Sequence, residues 1–290
     1  MPIWYLPVIV KSRPFVWLFL PVAVALYAYS VIKLDRIPRT KEKDLLTVAL
    51  PAPVQVLLTG GDRFLAANLA VIRAIVVSTG DLDSLGYEML AQIQSDAARL
   101  NPAHEDNYYI SQAILPWNNQ LEADMFIQAR ATEARPWDAT PAFFLGFDKY
   151  YFLRDPVGGA QSLQLAAAHL PPGNREALMG MAARWYEKGD DPRTAIGMID
   201  TLAKGTRDKD LKKQLEERKQ RMEGLAMLRD AAKLYGEKYG KPPGRLADLI
   251  GPGFLEKVPS DPLNQGYTLD ANGVPMLRKA VARPPLSPSS

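Results

Sequence analysis

The chain has 290 residues, with 35 Lys and Arg against 32 Asp and Glu, two histidines and no cysteine. The missing thiols exclude disulfide scaffolds, Cys-ligated zinc, iron–sulfur clusters and thiol catalysis. Residues 1–44 hold seven basic and three acidic side chains while the other 246 hold 28 and 29, so the net charge of +3 belongs to the N-terminus and the body has no nucleic-acid footprint.

Pro14 to Ile32 is an uncharged run of 19 residues. At a helical rise of 1.5 Å per residue it reaches ~28 Å, roughly the thickness of a bilayer's hydrocarbon core. Trp17, Tyr27 and Tyr29 lie where interfacial aromatics belong, and Lys11/Arg13 and Lys33/Arg36 bracket the run. Its bulky end argues against a cleaved signal peptide. The expected layout is a tail over 1–13, a transmembrane anchor over 14–34 contacting the lipid bilayer, and a linker over 35–60. Two basic residues before the span and five soon after it favour a cytoplasmic body. The short tail with a single anchor and the absence of cysteine favour an exported one.

The body from 61 to 206 reads as successive helices separated by turn residues, a mainly α chain. Gly60-Gly61 and Asp62 form a stop and an N-cap, and Phe64, Leu65, Leu69, Ile72, Ile75 and Val76 then recur at helical spacing. Arg63 and Arg73 argue against a second span. Pro102, Pro136 and Pro171 each close a helical stretch, at separations of 34 and 35 residues, the period of a helix-turn-helix repeat. Gly146 and Tyr150, then Tyr186, Gly189-Asp190 and Ala195, supply small and aromatic residues at corresponding places. Over residues 84–206 this pattern resembles the tetratricopeptide repeat family; the turn at Pro116–Gln120 departs from that family's glycine-containing turn. The resemblance implies an α-solenoid of helix hairpins that holds a protein partner.

No catalytic constellation is visible, and neither cofactor nor metal is expected. His104 and His169 are 65 residues apart, each near a helix-ending proline, without metal-ligand spacing. Glu105/Asp106 and Asp190/Asp191 read as helix N-terminal charges. Aromatic residues concentrate between Tyr108 and Phe152. Most of them suit inter-repeat packing, and Tyr109, Trp117 and Tyr151 are the candidates for gripping a partner. From Arg207 to Tyr239 runs one amphipathic pattern with Leu211, Leu215, Met222, Leu225, Leu228, Ala232 and Tyr235 on its stripe. Its basic residues alternate with Glu216, Glu217, Glu223 and Glu237, which predicts a solvated face of i,i+4 pairs.

The segment 207–277 ends in a small α+β unit with a short β-hairpin turning at Asn272-Gly273. Tyr239, Pro242-Pro243, Leu246, Leu249, Phe254-Leu255, Val258-Pro259, Asp261-Pro262 and Gly266-Tyr267 resemble, in order and spacing, the C-terminal half of type II secretion major pseudopilins. Calcium is common in that family, and Asp261, Asn264, Asp270 and Asn272 are the residues that would offer it oxygens, though turns favour Asp and Asn for backbone reasons in any case. The prepilin-type start is missing, so the chain is not expected to be a pilus subunit. The Pro/Ser-rich end over 278–290 reads as disordered.

Anchor, repeats and tail together resemble bacterial membrane-anchored tetratricopeptide proteins. The resemblance implies a single-pass inner-membrane protein, with its body on the periplasmic side in the preferred reading and cytoplasmic in the other. The expected function is a non-enzymatic scaffold, an assembly factor or accessory subunit of an envelope complex related to secretion or type IV pili. The competing expectation is a membrane-tethered enzyme or carbohydrate-binding protein using the aromatic-rich groove, which requires two carboxylates converging with aromatics in a deep pocket.

Overall fold

The computed structural model describes residues 15–35, 49–78 and 82–278. Two compact units are distinguished, Met1–Leu45 and Leu46–Ser290. The first contains helix α1 (Phe15–Asp35), which runs through Pro21 and whose side chains from Leu20 to Lys33 are all exposed. Among the described residues no helix is long and apolar enough to cross a membrane. The expected tail over 1–13 lies outside the described residues, as does 279–290 of the segment expected to be disordered.

The second unit begins inside the expected linker, where Ala52–Leu58 form a short helix, α2. Gly60 and Gly61, both at positive φ, turn the chain into α3 (Arg63–Ser78). Asp62 caps that helix, its Oδ1 accepting the Phe64 and Leu65 amides at 2.9 and 3.1 Å. Helix α4 (Ser84–Leu100) is capped in the same way by Asp83.

Three helix pairs follow: α5 (Glu105–Ile114) with α6 (Leu121–Ala134), α7 (Thr140–Tyr151) with α8 (Pro156–Ala168), and α9 (Asn174–Tyr186) with α10 (Pro192–Gly205). Pro102, Pro136 and Pro171 each sit in the turn that precedes a pair. A proline lacks the amide that would continue the helix and drives its predecessor out of the α region. The pairs therefore recur at the spacing of the prolines. A 3-10 turn over Pro116–Asn118, closed by Asn119 in the left-handed region, joins α5 to α6.

The long helix α11 (Lys209–Tyr239) is followed by a 3-10 turn at Leu246–Leu249 and an antiparallel hairpin of β1 (Tyr267–Leu269) and β2 (Pro275–Leu277). In its register Tyr267 faces Leu277, and Gly273 takes the positive φ of the turn. One buried cluster spans α3 to α6; a second spans α8 to α11 and takes in Leu249 and Tyr267. Helix α11 and the hairpin thus share a core with the preceding helices.

Helix α3 reverses the expectation from residue size. Its buried face is Ala66, Ala67, Ala70, Val71, Ala74 and Val77, and it packs against α4. Phe64, Leu69 and Ile72 stay 50%, 52% and 56% exposed, and Leu65 faces outward with them. The small residues let the two helix backbones approach, so the larger ones line the outer face. A similar rule operates between α7 and α8. A Cβ on Gly146 would stand 3.0 Å from the Gly159 carbonyl oxygen, and one on Gly159 2.9 Å from that of Gly146.

The charges of α11 also correct the reading of a solvated face. Lys219 does meet Glu216 at 3.6 Å, but it stands 2.8 Å from Asp200 of α10. Arg218 pairs with Glu187 at 2.8 Å, and Arg221, buried, stands 3.2 Å from Asp261. Basic residues that look solvated in the sequence bind the neighbouring elements to α11.

Candidate functional site

Helix α5 starts with Glu105 and Asp106, whose charges oppose the positive end of its dipole. It points Tyr108 into the core and leaves Tyr109 exposed. The Tyr108 hydroxyl donates to Asp138 Oδ2 at 2.6 Å, and Arg135 Nε donates to the same oxygen at 3.0 Å. Burial alone would raise the Asp138 pKa; hydrogen bonds from Tyr108, Thr140 and Arg135 overcome it and hold the carboxyl at about 2. Burial, together with the hydrogen bond to Asp138, pushes the Tyr108 hydroxyl well above its ordinary range. Arg135 also reaches Glu105 at 3.1 Å and the Ala103 carbonyl at 3.2 Å. This one guanidinium ties the end of one helix pair to the start of another.

Phe144, Phe147 and Tyr151 recur at i, i+3 and i+7 on α7 and therefore share a face. Phe147 and Tyr151 stack with ring centres 5.3 Å apart. Trp117, in the 3-10 turn, meets Tyr151 at 5.7 Å and Phe152 at 5.0 Å. Tyr109 meets Phe144 edge-on at 5.6 Å. All three residues singled out in the sequence consequently contact this aromatic face of α7: Trp117 and Tyr151 meet directly, and Tyr109 lies about two turns away. Each of the three is exposed. Tyr150 points elsewhere and stacks on Trp185 at 4.2 Å, packed against the core with Phe143. Trp137, also exposed, lies under the Arg135 guanidinium instead.

Buried beside this face is a polar network that the sequence reading missed. Gln112 of α5 donates to Asp148 Oδ1 at 2.9 Å. Gln128 of α6 donates to the Tyr108 carbonyl at 2.8 Å and to Asp124 Oδ1 at 3.2 Å. Asp124 and Asp148, both 0% exposed, lie close enough for each to shift the other's ionisation, and Oδ2 of each is buried without a hydrogen-bond partner. A proton held on one of the two carboxyls supplies a donor for the other. Burial first, then the neighbouring Asp148 carboxyl, push Asp124 up to about 8. Burial also raises Asp148, against Asp124 and the hydrogen bond from Gln112. The only trace in the sequence is the i,i+4 spacing of Asp124 and Gln128 beside the buried Ile127 and Ala131.

Two carboxyls do converge near the aromatics, but complete burial puts them out of a substrate's reach, and they act on the cohesion of α5, α6 and α7. His104 and His169 occupy opposite kinds of helix end, the N-cap of α5 and the C-cap of α8. Among the described residues no group of three or more His, Asp or Glu side chains could hold a metal ion. Of the donors considered for calcium, Asp261 already accepts the Leu263, Gln265 and Gly266 amides and faces Arg221. Asp270 accepts the Asn272 and Val274 amides of the hairpin turn. These carboxylates order turns. Comparison with protein-family models, curated proteins and solved structures returns no match for this chain.

Proposed function

We propose that the chain is a non-enzymatic, membrane-anchored interaction protein whose helical array binds a partner protein, as assembly factor or accessory subunit of a bacterial envelope complex. The observation that carries this reading is the outer face of α3, where Phe64, Leu65, Leu69 and Ile72 stand exposed while alanines fill the interface with α4. A row of large apolar side chains turned outward is costly in water and marks a surface made to be covered. The exposed Tyr109, Trp117 and Tyr151 offer a second surface of the residue types that dominate binding energy. The recurrence of helix pairs near 34 residues supports a tetratricopeptide-like array. The uncharged run within 14–34 supports an anchor in the inner membrane.

The test is site-specific photocrosslinking in cells, with a photoreactive residue at Leu69, at Trp117 or at the exposed control Lys212. A single protein adduct from Leu69 or Trp117 that is missing from Lys212, and that Ile72→Asp abolishes when crosslinking from Leu69, is the expected result. Crosslinks to lipid alone, or the same adducts from all three positions, would overturn the reading.

A further inference from the structure

A cleft of about 640 Å³ opens between α9, α11 and β2, far in sequence from the aromatic face. Its walls carry Arg184, Lys188, Arg218, Arg221, Arg229 and Arg278, against the carboxylates of Glu187 and Asp190. Glu187 is already committed, both its oxygens accepting from Arg218 Nη1 at 2.8 Å, with Arg221 Nη1 at 3.7 Å. Two of the other cations have neutral partners. Arg229 donates to the Pro275 carbonyl at 3.0 Å and to that of Asp190. Lys188 donates to the Tyr150 hydroxyl and lies over its ring. Arg184 and Arg278 are exposed.

Arg221 adds an independent sign of a missing ligand. Its side chain is 4% exposed, its Nε stands 3.2 Å from Asp261 Oδ2, and its Nη2 is buried without a hydrogen-bond partner. An unpaired buried guanidinium nitrogen costs free energy that a bound acceptor would return. The ligand must therefore be an anion with several acceptor oxygens. Phosphate suits the site better than carboxylate: each phosphate monoester brings nearly two charges and three acceptor oxygens, and guanidinium forks match that geometry. Leu225, Met276 and Leu277 also line the cleft and give an organic portion apolar walls.

We infer that this cleft binds a phosphate-bearing ligand, either a soluble phosphate ester or a phospholipid headgroup. Arg184, Lys188, Arg229 and Arg278 form the charged mouth, and Arg221 Nη2 is a donor at the base. The inference is independent of the partner surfaces on α3 and α7.

The test uses the full-length protein in a nonionic detergent and isothermal titration calorimetry with pyrophosphate, dihexanoylphosphatidic acid and hexaglutamate. One saturable site is expected, weakening as salt rises. Arg184→Gln with Arg278→Gln, both exposed positions, should weaken binding at least tenfold with an unchanged circular dichroism spectrum. Lys212→Gln with Lys213→Gln, removing two exposed charges at the start of α11, should change it less than twofold. Tighter binding of pyrophosphate assigns a soluble ligand, and tighter binding of dihexanoylphosphatidic acid assigns a headgroup; both sustain the inference. It is overturned by no saturable binding, by equal losses in the two double variants, or by hexaglutamate binding more tightly than either phosphate probe.

Discussion

Asp124 and Asp148 lie beside each other in the interior of the helical body, with neither side chain exposed to solvent. The folded state holds a proton on Asp124 up to about pH 8, whereas its unperturbed carboxyl releases it near 3.8. Because the folded pKa of this acid is raised, its contribution is fully present below about pH 4 and declines as pH rises toward 8. Thermal melts are expected to show Tm falling steadily as pH rises from 5 to 8. Asp124→Asn keeps a donor toward Asp148 and removes the titration, so it should flatten that slope. An unaltered slope in the variant would count against a shared proton.

At low pH the sign reverses at Asp138. Its folded pKa of about 2 lies below the 3.8 of a free aspartate, so the stability it supplies is present above pH 4 and lost as pH falls through 2. Tyr108→Phe deletes the hydroxyl that donates to Asp138 and should reduce stability by about 1 kcal/mol at pH 7. Chemical denaturation at pH 7 and at pH 2.5 checks it, with a smaller difference between wild type and variant expected at the lower pH.

The close approach of α7 and α8 predicts opposite effects for one substitution at two places. Gly159→Ala would set a Cβ 2.9 Å from the Gly146 carbonyl oxygen and 3.0 Å from Trp185, and should cost about 1–3 kcal/mol. Gly197→Ala on α10 meets nothing within 4 Å and should gain about 0.5–1 kcal/mol from helix propensity. Urea titrations of the two variants decide whether close helix packing or propensity governs these glycines.

Arg221→Ala would leave the buried Asp261 carboxylate without its cation, Glu187 keeping Arg218, and should destabilise by about 3–5 kcal/mol. Arg193→Ala breaks an exposed pair with Asp230 and should cost less than about 1 kcal/mol. Comparable losses in the two variants would deny the buried pair its structural role.

Trp117→Ala should leave Tm within a few degrees, since the ring is exposed, while weakening partner binding about tenfold or more. Affinity and thermal stability are to be measured on the same preparations. A large fall in stability without loss of affinity would make Trp117 a packing residue.

Much of the helical framework was legible because its causes are local. The prolines at 102, 136 and 171 stop helices through their own rings, Asp62 and Asp191 cap the turns that follow them, and Asn272-Gly273 closes a hairpin through its backbone preference. The stripe of α11 follows directly from its helical period, with Leu211, Leu215, Met222, Leu225 and Leu228 all buried. The same periodicity located a face of α3 without saying which way it turned, because the choice depends on how closely α4 approaches. Asp124 and Asp148 look like two unrelated acidic residues on two helices until packing brings them together.

Helix ends and the near-constant spacing of the pairs have local causes, since capping, proline and period act within a few residues. Which faces are covered and which charges meet is set by packing. It turned the alanines of α3 inward and its phenylalanine and leucines outward, and it set Arg218, Lys219 and Arg221 against carboxylates from other elements. Burial and ion pairing depend on separation in space, and for these residues the neighbours that fix it lie 19 to 40 positions away along the chain.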